Sequence, residues 1–183
     1  MTEKLSARQV RKRRQEQIQR AYEKNRRRNL LAQPGFHDFV LVLDHLKAGY
    51  NVPKIFRSAE AFGAREIHLI DIGVFDPSPA KGAFRKVPAK FYTSFEESHE
   101  HLQQQGYVLY ALSPDSSHSL LDTKFPSKSA FIFGHEEIGL SFSPADHPNI
   151  EYLHIPQFGK TESLNVSIAA SIVMYEYTRQ RQS

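Results

Sequence analysis

The chain of 183 residues contains no cysteine. Disulfides and thiolate metal centres are therefore excluded, and the composition suits a reducing, cytoplasmic setting. No apolar run approaches the roughly 18 residues that a membrane-spanning helix requires. The sequence does not open on a charged-then-apolar signal peptide. Its basic first segment carries Glu3, Glu16 and Glu23 and little serine, unlike an organellar transit peptide. Several catalytic signatures are also missing. There is no G-x-G-x-x-G dinucleotide fingerprint and no G-x-x-x-x-G-K-[ST] phosphate loop. No G-x-S-x-G elbow presents a nucleophile. Nine histidines are present, but none has H-E-x-x-H spacing, so no metal site is expected. His68, His118 and His154 read as structural or surface residues.

Charge is unevenly distributed. Residues 1–28 hold 11 Lys/Arg against 3 Glu, a net +8. The remaining 13 basic and 17 acidic residues leave the rest of the chain at −4. A basic leader ahead of a mildly acidic body points to a polyanionic partner, although a solvated, partly disordered tail has the same composition. The leader has few apolar residues to bury: Leu5, Val10, Ile18 and Tyr22 are scattered. It reads as a weakly docked helix or one that orders on its polyanionic partner. Gln33-Pro34-Gly35 breaks it from the remainder, dividing the chain into an extension (1–33) and a globular domain (34–183).

Strands and helices then alternate. The pattern predicts strands over Phe39–Leu43, Glu66–Ile72, Tyr107–Ala111, Ala130–Phe133 and Glu151–Ile155. It predicts helices over Lys54–Phe62, Ser94–Gln105 and Ser163–Arg179. Such alternation implies an α/β fold with a mostly parallel sheet flanked by helices. Phe75–Lys90 shows no periodicity and reads as one long loop. The last helix has two apolar faces. Val166, Ala169, Ala170, Val173 and Tyr177 form one, and Ile168, Ile172 and Tyr175 the other.

Three constellations could carry chemistry. In the first, Asn51 and Arg57 stand six residues apart, close enough for both to face one cleft. The same spacing fits an N-cap Asn51 and a surface Arg57 paired with Glu60. In the second, Phe131-Ile132-Phe133 runs into Gly134, where a ligand can approach the backbone closely. Glu136 and Glu137 then lie past a strand's carboxyl end, where α/β sheets bind ligands. They could equally be solvent-facing acids beyond a turn. The third runs from Ile155-Pro156 through Gly159 to Ser163-Leu164-Asn165. Ile155 and Leu164 could sandwich a flat ring, while Ser163 and Asn165 supply polar contacts or helix caps.

Taken in order, N-x5-R-S-A-x3-G, G-x-E-x2-G-x-S and I-P-x6-S-L-N-V-S-x-A-A resemble the motifs of the SpoU/TrmH-type RNA ribose methyltransferases of the SPOUT superfamily. The likeness covers about residues 38–180, and Lys81-Gly82-Ala83 resembles a further family loop. Pro53 departs from it, standing where a small residue is usual. The resemblance implies an α/β sheet with a deep C-terminal trefoil knot, a homodimer, and S-adenosylmethionine as cofactor. It implies methyl transfer to a ribose 2′-hydroxyl of tRNA or rRNA, with tRNA slightly favoured because the chain has no room for a separate RNA-binding domain. The competing reading is a non-catalytic RNA-binding module on the same fold.

Carried over, the resemblance implies a catalytic set of Arg57, Asn51, Glu136, Ser163 and Asn165. The cofactor pocket would use three loops. Leu112 and Ser113 belong to the first, and Phe133, Gly134, His135, Glu136 and Gly139 to the second. Ile155, Pro156, Phe158, Ser163, Leu164 and Asn165 belong to the third. RNA phosphates would meet Arg11, Lys12, Arg13, Arg14, Arg26, Arg27 and Arg28, with Lys81 and Arg85 from the long loop. No metal and no membrane is implied.

Overall fold

Six strands lie side by side in the order β3-β2-β1-β5-β4-β6, every neighbouring pair parallel. The computed structural model describes residues 6–182; Glu3, Lys4 and Leu5 of the leader lie outside the described residues. The strands are β1 (Phe39–Asp44), β2 (Glu66–Ile70), β3 (Ala89–Tyr92), β4 (Val108–Leu112), β5 (Ser129–Phe133) and β6 (Glu151–Leu153). The helices are α1 (Ala7–Asn29), α2 (Asn51–Ala61), α3 (Phe95–Gln104) and α4 (Val166–Arg179).

β1 is central and all six of its residues are buried. Its alternation sends Phe39, Leu41 and Leu43 to one face and Val40 and Val42 to the other. The first face is covered by Tyr22 of α1, Val52, Ile55, Phe56 and Ala59 of α2, and Ala170, Val173, Met174 and Tyr177 of α4. The second is covered by Phe95 and Leu102 of α3, together with Phe142 of the segment before β6. Burial on both faces explains why these strands read as continuous apolar runs.

The predicted elements are present, with two corrections. Phe75–Lys90 is not a bare loop. Phe75 and Phe84 are buried and stack with Phe56 and Tyr22, ring centres 4.9–6.1 Å apart, and two short 3-10 turns (Ser78–Ala80 and Ala83–Arg85) connect them. The segment then enters the edge strand β3, which the sequence pattern did not show. The second correction concerns the leader. Ser6 caps α1 in a reciprocal capping box with Gln9, and Tyr22 is only 4% exposed. Burying that ring stabilises docking by about 1.5–3 kcal/mol. At the far end the buried Asn29 amide donates to the Phe84 and Val87 carbonyls, and its oxygen accepts from the Ala89 N–H. The leader is thus fastened to the segment that carries β3.

At the C-terminal end, the connection from β4 to β5 runs along the outside of β6. Leu120 N donates to His154 O, and His154 N to His118 O. The same connection grips the end of α4. Phe125 N donates to Gln180 Oε1, Gln180 Nε2 to Thr123 O, and Tyr177 Oη to Ser127 O. Among the described residues no helix is long and apolar enough to cross a membrane.

Candidate active site

The carboxyl ends of β4, β5 and β6 open on a cleft of about 310 Å³. Leu112, Phe133 and Leu153 end the three strands that border it. Its volume lies at the lower end of small-molecule sites. Ile155, Leu164, Val166 and Ala169 add apolar wall, and Ser113, Glu136, Gln157, Ser163 and Asn165 add polar groups.

Glycine shapes the second wall for a steric reason. A Cβ on Gly134 would come within 2.5–2.7 Å of the Gly139–Leu140 backbone. Here the chain doubles back, and His135 and Gly139 exchange two backbone hydrogen bonds of 2.8 and 2.9 Å. Gly139 turns with φ +77°. The hairpin is anchored from behind by the fully buried Asp44 at the end of β1. Its carboxylate accepts from Ser141 N (2.7 Å), Ser141 Oγ (2.8 Å) and His45 Nδ1 (2.6 Å). His45 holds φ +57°, a strained conformation at the strand end nearest the cleft.

One polar relay joins the three sequence constellations. Asn165 takes the N-cap of α4, and its Oδ1 accepts from Ser167 N (2.9 Å) and Ser167 Oγ (2.6 Å). That acceptor role turns its Nδ2 outward, where it donates to Asn51 Oδ1 (3.1 Å). Asn51 Nδ2 is then left to donate to Glu136 Oε1 (2.9 Å), while Glu136 Oε2 accepts from Lys47 N (3.2 Å). Each amide has one orientation consistent with its neighbours, so the cap fixes the whole relay. Partial burial raises the Glu136 carboxyl, but the hydrogen bonds from Asn51 and Lys47 outweigh it and hold it below the usual range. Glu136 is an anion at neutral pH, suited to anchoring rather than to donating a proton.

Of the two readings for Asn51, the tertiary one holds. Tyr50, not Asn51, takes the N-cap of α2, and its side chain caps nothing. Glu60 is engaged by Lys86 (2.7 Å) rather than by Arg57. Arg57 is exposed on α2. It forms no hydrogen bond or ion pair among the described residues.

The structure brings Leu112, Ser113, Phe133, Gly134, Glu136, Ile155, Ser163, Leu164 and Asn165 to the cleft wall. It does not bring Asn51, Arg57, His135, Gly139, Pro156 or Phe158 into that wall: Asn51 reaches it only through Glu136 and Asn165, His135 and Gly139 close the hairpin, and Phe158 is 99% exposed. Ser163 lies in the loop three residues ahead of α4 and caps nothing. Leu153, Gln157, Val166 and Ala169 were missed, although the last two belong to the recognised apolar face of α4. His154 corrects its sequence reading. It lines the cleft with Nδ1 buried and without a hydrogen-bond partner. A buried polar atom without a partner is costly, so this nitrogen is a local strain beside the cleft.

The basic residues divide. Arg11, Lys12, Arg13, Arg14, Arg27 and Arg28 are exposed along α1. Arg26 stacks over Phe91 at 4.2 Å, and Lys81 and Arg85 sit at the two 3-10 turns. Away from the cleft, Glu66, His68 and His101 place ligand atoms within 4.8 Å of one another. The Lys90 ammonium fills that position, 2.9 Å from Glu66 Oε1 and 2.8 Å from His101 Nε2.

The family model described as SpoU rRNA Methylase matches residues 38–175. A 23S rRNA (guanosine-2'-O-)-methyltransferase RlmB of Salmonella typhi is 29% identical over 169 residues, covering 88% of this chain and 68% of that protein. A tRNA (guanosine(18)-2'-O)-methyltransferase of Thermus thermophilus is 27% identical over 152 residues, covering 79% of this chain and 76% of that one. The SpoU methyltransferase AviRb of Streptomyces viridochromogenes, solved in complex with the cofactor AdoMet, superposes with a TM-score of 0.69 at 26% identity. That match covers 81% of this chain, which spans only 63% of the AviRb chain.

Proposed function

The chain belongs to the SpoU rRNA Methylase family, and from that premise we propose that it transfers a methyl group from S-adenosylmethionine to a ribose 2′-hydroxyl of tRNA or rRNA. The observation that carries the proposal is the Asn165–Asn51–Glu136 relay, which ties all three motifs together at the rim of one cleft.

The cleft fits the cofactor class. Ile155 and Leu164 offer apolar surfaces for a flat purine, and Ser113, Gln157 and Ser163 offer polar contacts. Bound there, S-adenosylmethionine supplies a methyl group already activated by its sulfonium. The chain's own residues then have to orient the ribose and stabilise the alkoxide that develops at O2′. Arg57 suits that role. Its guanidinium is exposed and uncommitted, and a guanidinium keeps its proton through the neutral range, so it acts as a cation rather than a base. It would grip the phosphate beside the target ribose and stabilise the alkoxide, with the hydroxyl proton passing to solvent. Glu136, held ionised, fixes the orientation of the Asn51 amide beside the cleft.

Three further parts of the reading are proposals. α1 presents Arg11, Lys12, Arg13, Arg14, Arg27 and Arg28 to solvent for RNA phosphates. The grip of the β4–β5 connection on the end of α4 supports passage of the C-terminal chain through that loop as a trefoil knot. Phe36 (92% exposed), Ile168 and Tyr175 form an apolar face that extends through Phe62 and suits a homodimer.

The test is incorporation of label from radiolabelled S-adenosylmethionine into separate tRNA and rRNA pools, followed by nuclease mapping. Label in a nuclease-resistant dinucleotide establishes 2′-O-methylation, and the labelled pool identifies the substrate class. Arg57→Ala should retain cofactor affinity and lose turnover; undiminished turnover would remove Arg57 from the mechanism. Cofactor-independent RNA binding without methylation would favour an RNA-binding module.

A further inference from the structure

A second concavity, of about 570 Å³, opens between α1 and the turn that leads into α2. Arg11, Arg14 and Ile18 line it from α1, and Gly49 and Tyr50 from the turn, with Val74 nearby. Tyr50 is 59% exposed, and its hydroxyl lies 3.5 Å from Arg14 Nη2. Its side chain does no capping work for α2. The acid in the wall, Asp76, is turned to its own chain, where Oδ1 accepts from Ser78 N (2.9 Å). An exposed aromatic ring therefore shares this groove with two guanidinium groups from the most basic stretch of the chain.

The groove is linked to the cleft along the chain. Tyr50 directly precedes Asn51, whose amide is fixed by Glu136 and Asn165 at the cleft wall. A strand with its target ribose at the cleft would pass Tyr50 with a neighbouring nucleotide. An aromatic face between cations suits an unpaired nucleotide, whose base stacks while its phosphate pairs. We propose that the α1–Tyr50 groove is a subsite for one unpaired nucleotide flanking the methylated position, with its base against Tyr50 and its phosphate between Arg11 and Arg14. This inference rests on the RNA methyltransferase reading above and gives α1 a defined task beyond general attraction.

The full chain is tested by filter binding to total tRNA and to deproteinised rRNA across a salt series, with calorimetric S-adenosylmethionine binding alongside. Tyr50→Ala should weaken RNA binding by roughly 5- to 150-fold, the equivalent of one lost stack. Its salt dependence and cofactor affinity should match the wild type. Tyr50→Phe keeps the ring and should bind as the wild type does. Arg11→Gln with Arg14→Gln should flatten the salt slope by about 0.7–1.4. Wild-type RNA affinity in Tyr50→Ala would overturn the subsite while leaving methylation intact as a separate finding. Equal losses in Tyr50→Phe and Tyr50→Ala would also overturn it, since the hydroxyl and not the face would then matter. Weakened cofactor binding in Tyr50→Ala would assign the ring to the cleft instead. A wild-type chain that neither binds nor methylates either pool would bring down the function and the subsite together.

Discussion

Asn165 does two jobs that one substitution can separate. Its Oδ1 caps α4, and its Nδ2 starts the relay to Asn51 and Glu136. Asn165→Ala removes both. Loss of an N-cap costs about 0.5–2 kcal/mol, which for a chain of this size lowers Tm by roughly 1–8 °C. Asn165→Asp keeps the capping oxygen and adds a charge that the helix N-terminus favours by about 0.3–1 kcal/mol. The cap is therefore kept, and stability should fall by less than in Asn165→Ala. The second oxygen of Asn165→Asp, however, now faces Asn51 Oδ1, where a donor stood. Asn51 must either accept that repulsion or turn over and present its oxygen to the Glu136 carboxylate. Either way a hydrogen bond to a charged group is lost or opposed, worth about 1.5–3 kcal/mol. That corresponds to a fall of roughly 10- to 150-fold in kcat/KM. Thermal melts paired with initial rates of label transfer provide the assay. Full turnover in Asn165→Asp would refute the relay, and a melting loss equal to that of Asn165→Ala would refute the cap.

Asp44→Asn should lower S-adenosylmethionine affinity and cost about 1–3 kcal/mol of stability, because the buried carboxylate that holds Ser141 and His45 loses its charge; calorimetry and denaturant melts measure both. Stability should decline on acidification in two stages. Burial lowers the His68 pKa, so below about pH 6.5 the unfolded chain takes up a proton that the folded chain resists. Burial raises Glu66, but hydrogen bonds from His68 and Lys90 lower it further, to about 2. Its contribution is therefore complete above the unfolded value near 4.5 and is lost as pH falls towards 2. Glu66→Gln should remove that second slope in pH-dependent denaturant melts. Under the proposed homodimer, Tyr175→Glu places a charge on the exposed face of α4 and should yield monomers where the wild type sediments as a dimer in analytical ultracentrifugation, without unfolding the chain; a wild type that sediments as a monomer would refute the dimer.

Strands buried on both faces and helices with one buried stripe were legible because their apolar pattern is local. β3 was not, because at the sheet edge its four residues are only half-buried and Ala-Lys-Phe-Tyr shows no clean alternation. Phe75 and Phe84 gave no periodic signal, since irregular backbone delivers both rings to the same aromatic cluster. Asn29 carried none either: the carbonyls it binds belong to residues 55 and 58 positions away. At the cleft, spacing alone left Asn51 between a cap and a site residue, and Arg57 between an ion pair and a free cation. Long-range partners decide both, because Glu136 and Asn165 claim Asn51 and Lys86 claims Glu60. His154 resembled any other strand-end histidine, since only the surrounding walls reveal that its Nδ1 has no partner.

The order in which the cleft is assembled has a consequence during synthesis. Its first walls, around Leu112 and Phe133, sit on strands that can pair as soon as β5 leaves the ribosome, whereas residues 153–169 and the capped end of α4 come last. A nascent chain therefore carries the basic helix α1 well before its cleft is complete. The proposed methyl transfer has to wait until α4 is gripped by the β4–β5 connection.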